Sequence, residues 1–437
     1  MTNLTAQQAA GIQKIRDWYQ SADGTFGADV FRLFGPAGTG KTTMAKAIPE
    51  ALGIAPDNVR YGTFTGKAAH VLRSKGAAPV STIHSGIYFP TQDAEAVQRL
   101  RDAQAELADL TSIVTDPEST QEHAGHAQEE IERLEQTLPG LQADARRVSF
   151  ELNAESEWAS ASLIILDEVS MVGPKLAQDI ESYGVPILVL GDPAQLPPVD
   201  GGGYYTEATP DFLLTEIHRQ ALESPVLELA TRVRLSTGDR LGLTPADLAP
   251  ASVRAALKAD QVLTWSNKRR WALITAMRKA LERPAGQVVP GDRIMCLTNN
   301  KNLAVFNGQQ FEVLEVQTGD SRGPVLRLLT DEDQERLIQV HPDGFQGQKE
   351  QQDAKDGGMG VRKGQPMLAT YANAITVHKA QGSEWGHVYV VNETEDMMWA
   401  SRQRRGKEAA IREARQWLYT AATRASDQLT ITRPKRH

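Results

Sequence analysis

"FRLFGPAGTGKTTMA", residues 31–45, is an apolar run that breaks into a glycine-rich loop and resumes as a helix-forming stretch. Residues 35–42 satisfy G-x-x-x-x-G-K-[ST], a spacing in which glycines let backbone N–H groups turn toward phosphate oxygens and the lysine reaches the β/γ-phosphates. "VFRLF" before the loop reads as a buried strand and "TTMAKAIPEAL" after it as a helix, which is the context the loop requires; a chance glycine turn needs neither flank. Gly35, Gly38, Gly40, Lys41, Thr42 and Thr43 are therefore the expected nucleotide-binding residues, with Thr42 on Mg²⁺.

Such a loop works with a carboxylate beside the metal and a group that orients water. "SLIILDEVSM" (162–171) supplies both at a strand end: Asp167 to hold Mg²⁺ and Glu168 to direct the attacking water. Without the loop upstream, the pair would read as two solvated acids. "PILVLGDPAQLPPV" (186–199) is a further buried strand ending in a polar loop, where Gln195 is placed to sense the γ-phosphate and two prolines add stiffness. The three strands would bring their carboxyl ends to one crevice, where open α/β sheets bind ligands.

Short apolar, β-branched runs recur along the chain as "NVRYGTF", "QVLTWS" and "HVYVVNE", alternating with amphipathic stretches. This rhythm predicts an α/β fold with parallel sheets flanked by helices. At 437 residues, and about 150 residues per domain, several packed units are expected.

Two segments interrupt the rhythm. In residues 93–146 apolar side chains fall at Leu100, Ala103, Leu107 and Leu110, then at Ile131, Leu134, Leu138 and Leu141, which predicts two helices with coiled-coil seams turning near "TDPEST". Residues 299–366 place a turn at Asn307 and Gly308 between "LAVF" and "QQFEVLEV", followed by "PVLRLL" and "RLIQV", as in a small inserted β-barrel.

The net charge of −8 argues at first against a polyanionic partner. Residues 91–160, however, hold sixteen Asp and Glu against five Arg and no Lys, a net of −11 that leaves the rest of the chain at +3. Those acids read either as solvated helix faces or as an acidic binding surface. Cys296, the single cysteine, excludes an internal disulfide and a cysteine-ligated zinc or iron–sulfur site, and reads as a small core residue. No apolar stretch approaches the ~20 residues of a membrane span and the N-terminal residues carry no signal pattern, so a cytoplasmic protein is expected.

The series "GPAGTGKTT" (35–43), "TFTGKAAHVL" (63–72), "STIHSG" (81–86), "LDEVSM" (166–171), "GDPAQLPPV" (191–199), "EIHRQ" (216–220), "AITVHKAQGSEW" (374–385) and "LYTAATRA" (418–425) resembles, in order, the motif series of superfamily 1 helicases. It is most similar to the 5′-to-3′ branch with the RecD-like bacterial helicases and the phage helicase Dda. The resemblance implies two RecA-like P-loop domains, residues 1–88 with 161–214 and residues 215–298 with 367–437, and ATP in the cleft between them. It makes residues 89–160 a helical insertion in the first domain and residues 299–366 an SH3-like β-barrel insertion in the second. Relatives usually carry a β-structured, strand-separating pin in the first position; a long, acidic, helical segment departs from that pattern.

By the same resemblance Gln8 reads adenine, with Gln7 as a rival, and Arg219 and Arg424 are arginine fingers that, with Lys41, Glu168 and Gln195, complete the catalytic set. Gly382 and Glu384 would face the nucleotide. Thr65, Lys67, Thr82 and His84 on the first domain, and Thr376 and His378 on the second, would contact the DNA backbone without reading sequence; for the two histidines a hydrogen-bonded helix-end or core role competes. The implied activity is ATP-dependent 5′-to-3′ translocation on single-stranded DNA with unwinding of forked or tailed duplex. An RNA helicase is one alternative. Another is an ATP-gated recruiting module whose acidic hairpin 93–146 docks a partner protein.

Overall fold

The computed structural model describes residues 4–21, 29–92, 94–116, 119–145, 148–198, 203–217, 224–298, 300, 303, 305, 307–330, 334–356 and 364–434. Residues Met1–Ile87, Ala154–Lys355 and Met359–His437 form one compact unit, and Tyr88–Asn153, with Asp356–Gly358, form a second.

The first unit contains two parallel sheets. One runs in the order Val80–Thr82, Val59–Thr63, Leu163–Asp167, Ile187–Gly191, Val30–Phe34, Phe212–Leu213. The strands Leu163–Asp167 and Ile187–Gly191 are buried at every position, as expected where helices cover both faces of a parallel sheet. The register sets Thr63 opposite both Thr82 and Asp167, and Phe34 opposite Gly191, so the loops that leave these strands share one edge. The second sheet, in the order Ala374–Thr376, Gln261–Thr264, Trp385–Val390, Ala425–Thr432, Leu248–Ala249, is also parallel throughout. Its core is built around Leu263, Val388, Val390, Trp417 and Ile431.

A third sheet is antiparallel, in the order Glu335–Gln339, Gly323–Thr330, Gln310–Asp320, Arg293–Cys296, Ala369–Tyr371. It includes the turn expected at Asn307 and Gly308, where Gly308 takes φ 90°. Its last two strands lie outside residues 299–366: the chain enters and leaves the sheet through segments that the apolar rhythm joins to the flanking α/β elements. Asp292, fully buried at its entrance, accepts from Arg278 Nη1 at 2.6 and 2.7 Å and from Arg283 at 2.6 Å. Cys296 is buried here and burial pushes its thiol up to about 12, consistent with a packing role.

The second unit is a helical hairpin on a two-stranded ribbon. Helices Ala94–Thr115 and Gln121–Ala145 bury Ala96, Ala103, Ala127, Ile131, Leu134 and Leu138 along the expected seam. The flanking strands Tyr88–Gln92 and Val148–Leu152 pair antiparallel. Within the first unit the two stems leading to this insertion are locked by Trp158. Its ring, 3% exposed, fills a slot over Gly62 and Gly86, where any Cβ would stand 2.4 Å from ring atoms. Ser156 donates to the Gly86 carbonyl at 2.6 Å alongside it. No helix among the described residues is long and apolar enough to cross a membrane.

Candidate nucleotide-binding site

The phosphate loop leaves the strand Val30–Phe34 and enters helix Lys41–Leu52. Gly38 and Gly40 have φ 83° and 78°, the left-handed conformation that turns successive N–H groups to one side and that only glycine adopts without strain. Gly35 lies buried against Leu214 and Thr39, where a Cβ would meet atoms at 2.9 Å. Thr43 is exposed on the first helical turn. Lys41 Nζ donates to the Gly35 and Pro36 carbonyls at 2.6 and 3.0 Å, so its ammonium is held over the loop.

Thr42 Oγ1 donates to Asp167 Oδ2 at 3.0 Å, joining the loop to the carboxylate on the neighbouring strand end. Asp167 is 6% exposed, and its carboxyl is pushed up to about 6, first by burial and then by the charge of Glu168; Lys41 and the Thr42 hydroxyl oppose the rise. Glu168 follows at φ 58°, ψ 44°, a left-handed conformation that costs a non-glycine residue on the order of 1–3 kcal/mol and that clusters at functional sites. Its own N–H donates to Asp167 Oδ1 at 2.9 Å. Gln195 is buried, and its Oε1 accepts from Ser170 Oγ at 3.3 Å, two residues past Glu168.

Gln8 and Gln7 sit on one helix and do different things. Gln8, 3% exposed, donates to the Thr39 carbonyl of the phosphate loop at 3.1 Å. Gln7 instead clamps the segment after Phe212–Leu213, accepting from Thr215 and Glu216 N–H at 2.9 Å each.

The second sheet meets this edge through its own motifs. Gly382, at φ 74°, lies against helix Gly66–Ser74 and the residue before it: a Cβ there would stand 2.8 Å from Ala68 Cβ and 2.9 Å from Thr65 Oγ1. Lys67 Nζ lies 4.8 Å from the Trp385 ring centre, a cation–π contact between the "FTGKAA" and "GSEW" stretches. Glu384 is exposed beside it. Arg424 is buried and spends its guanidinium on neighbours around the second sheet, the Thr420 and Ser383 carbonyls at 3.1 and 3.2 Å and Thr423 Oγ1 at 3.2 Å. Arg219 lies outside the described residues.

The expected DNA contacts fall into two groups. Thr65 and Thr82 use their hydroxyls to cap short helices, accepting from Ala68 N–H and Ser85 N–H at 3.2 Å each. His84 is exposed and stands edge-on to Phe64 at 5.7 Å. Thr376 precedes helix Val377–Ala380 with no capping bond from its side chain, and burial lowers the His378 imidazole despite the opposing charge of Glu413. The same helix carries Lys379, not singled out from the sequence, whose ammonium is pushed down to about 8 by burial and donates to Asn307 Oδ1 at 2.9 Å. Also unforeseen were Gln381, Tyr419 and Thr420, which bond to Leu196 and Asp192 in the loop after Ile187–Gly191; Tyr419 and Thr420 lie inside "LYTAATRA", but a helical tyrosine and threonine have many packing uses.

Two parallel sheets facing across a glycine loop, a paired carboxylate and an arginine-bearing helix end define a P-loop nucleotide-binding protein of RecA-like architecture. The chain belongs to the AAA domain family, whose model matches residues 22–246, and residues 371–432 match the UvrD-like helicase C-terminal domain; with the eight motifs these matches set it among superfamily 1 helicases. It is 30% identical over 301 residues to the ATP-dependent RecD2 DNA helicase of Deinococcus radiodurans. That match takes in 62% of this chain and 36% of the relative, so the chain spans about a third of the curated protein it matches. The fold is shared with Pif1 helicase from Bacteroides, solved in complex with ADP-AlF3 and single-stranded DNA, at TM-score 0.53 and 17% identity over 100% of this chain and 94% of that one. Pif1 helicases solved for unwinding at forked duplex DNA give TM-score 0.54 and 17% identity, over 99% and 93% of the two chains.

Proposed function

We propose that the chain is an ATP-driven motor that moves 5′ to 3′ along single-stranded DNA and separates forked or tailed duplex. The observation that carries this is the meeting, at one sheet edge, of the phosphate loop, the Asp167–Glu168 pair and the end of helix Lys407–Ala422, two residues before Arg424. The RecD2 and Pif1 similarities support DNA as the track. The proline-bearing "GDPAQLPPV" loop, which lacks an aromatic stacking residue, supports the 5′-to-3′ branch.

In this reading residues 1–88 with 161–214 and residues 215–298 with 367–437 are the two motor domains, and residues 299–366 contribute an SH3-like insertion. ATP lies on Gly35, Gly38, Gly40, Lys41, Thr42 and Thr43, with Gln8 at the base and Gly382 and Glu384 on the opposite wall. Lys41 and Gln195 bind the terminal phosphates, Glu168 orients the attacking water, and Arg219 and Arg424 supply positive charge across the cleft. Arg424 has to leave the Ser383 and Thr423 contacts to do so, which makes turnover depend on rearrangement of the second domain.

The donors suit Mg²⁺: a threonine hydroxyl and a buried carboxylate 3.0 Å apart are hard oxygen ligands, and the raised Asp167 shows a charge that burial leaves undercompensated. Among the described residues no group of three His, Cys, Asp or Glu could hold a metal, so phosphate oxygens and water would complete the shell. When bound, the ion would screen phosphate charge. Thr65, Lys67, Thr82, His84, Thr376 and His378 are assigned to the DNA backbone, with cap geometry leaving Thr65 and Thr82 to act chiefly through backbone groups.

The test is ATP-dependent strand separation on matched duplexes with a 5′ or a 3′ single-stranded tail. Unwinding of the 5′-tailed duplex alone is expected; activity confined to the 3′ tail would overturn the direction, and activity on RNA but not DNA the substrate. The acidic hairpin suits a basic protein partner better than a phosphodiester. Its deletion is expected to leave DNA-stimulated ATP hydrolysis within about twofold, because none of the assigned nucleotide or DNA residues lies in it; a larger loss, measured by phosphate release, would place the hairpin in the motor itself.

A further inference from the structure

We infer that Tyr419 is a positioning residue: its phenol couples the second domain to the phosphate loop of the first, transmitting DNA engagement to the nucleotide site. This rests on the ATP-driven, DNA-binding reading above.

Tyr419 sits near the end of helix Lys407–Ala422, and its ring is buried in the second domain's core. Only the hydroxyl emerges, and it is used twice across the cleft. It donates to Asp192 Oδ2 at 2.5 Å and accepts from the Ala37 N–H of the phosphate loop at 3.2 Å. A bond this short from a buried phenol to a buried carboxylate belongs to the strong, charge-assisted class. Asp192 is itself fixed, its other oxygen accepting from Ala194 N–H at 3.0 Å.

The grip extends along the whole loop that carries Gln195. Leu196 N–H donates to Thr420 Oγ1 at 2.9 Å, the Leu196 carbonyl accepts from Gln381 Nε2 at 3.0 Å, and the Pro193 carbonyl accepts from Gln416 Nε2 at 3.3 Å. Gln195 in turn accepts from Ser170, two residues past Glu168. Hydrogen bonds from the second domain therefore hold the loop that carries Gln195, and Tyr419 is the member of that set that also touches the phosphate loop.

Arg424 lies five residues beyond Tyr419, at the same helix end, and its Nε is bonded to the Thr420 carbonyl. A shift of this helix end that carries Arg424 toward the nucleotide would also move Tyr419 relative to Asp192 and Ala37. In this proposal the helix end is the element whose setting nucleotide and DNA both bias, as coupling between two sites requires.

Tyr419→Phe removes the hydroxyl and leaves the ring in the core. The measurement is the affinity of the full chain for a fluorescent ADP analogue, with and without a short oligothymidine; the ratio is the coupling factor, typically about 5–150 where coupling exists. Wild type is expected to show a ratio in that range. The variant is expected to fall to within about twofold of one, with oligothymidine-free ADP affinity within about threefold. An unchanged ratio in the variant overturns the proposal, as does a wild type that binds nucleotide but gives no response to oligothymidine. A wild type that binds no nucleotide overturns the ATP-driven reading instead. Should Tyr419→Phe fail to fold, Asp192→Asn weakens the same bond from its other end and carries the same expectation.

Discussion

Glu168→Gln is expected to lower ATP turnover by about 10²–10⁴-fold, the range for losing a positioned general base, while leaving nucleotide affinity close to wild type. The reason is local. Glu168 follows the buried strand Leu163–Asp167 in a left-handed conformation of the kind that clusters at functional sites. Glutamine keeps the length and shape of the side chain, so the backbone strain and the Asp167 contact to the Glu168 N–H are retained. What goes is the carboxylate that would accept a proton from water. Phosphate release measured beside equilibrium binding of a fluorescent nucleotide separates the two effects. Turnover within tenfold of wild type would remove Glu168 from the role assigned to it, and a parallel loss of binding would mean that the residue supports the loop rather than the chemistry.

Trp158→Ala should be the most damaging single change away from the nucleotide site, costing about 3–5 kcal/mol as a buried tryptophan truncation does. Trp158 fills the slot over Gly62 and Gly86 so closely that neither position has room for a methyl group. Emptying it removes the packing that holds both stems of the helical insertion to the first sheet, and little can collapse into the space because Gly62 belongs to the buried strand Val59–Thr63. A fall of the thermal midpoint on the order of 5 °C is expected for a chain of 437 residues. Gly86→Ala, which drives a methyl into the ring from the other side, should move the midpoint in the same direction by overpacking. A Trp158→Ala variant that loses less than about 1 kcal/mol would show that the stems are held elsewhere.

The two expectations differ in how much of their basis can be read along the chain. The phosphate loop, Asp167 and Glu168 are local: a strand, a turn and the residues that follow it lie within a few positions, and periodicity with glycine spacing specifies them. The seam of the helical hairpin is local in the same way, since residues three and four apart share a helix face. The slot for Trp158 is not, because it is assembled from glycines about 70 and 100 residues away. Nor is the extent of the antiparallel sheet, whose paired strands Arg293–Cys296 and Ala369–Tyr371 are separated by the residues of its own hairpins.

The parallel α/β class, the glycine loop between strand and helix, the order of the motifs and the places where the rhythm breaks are legible in the sequence, since each depends on periodicities of two or about 3.6 residues or on turn chemistry within a short window. Only the tertiary structure decided which polar groups meet across the cleft. Tyr419 reaches Asp192 and Ala37, Gln381 reaches Leu196, and Lys67 reaches Trp385, whereas Arg424 turns back on its own domain. Partners more than 180 residues apart are set by how two sheets pack, and a hydroxyl, an amide or a guanidinium accepts any partner that packing delivers within about 3 Å.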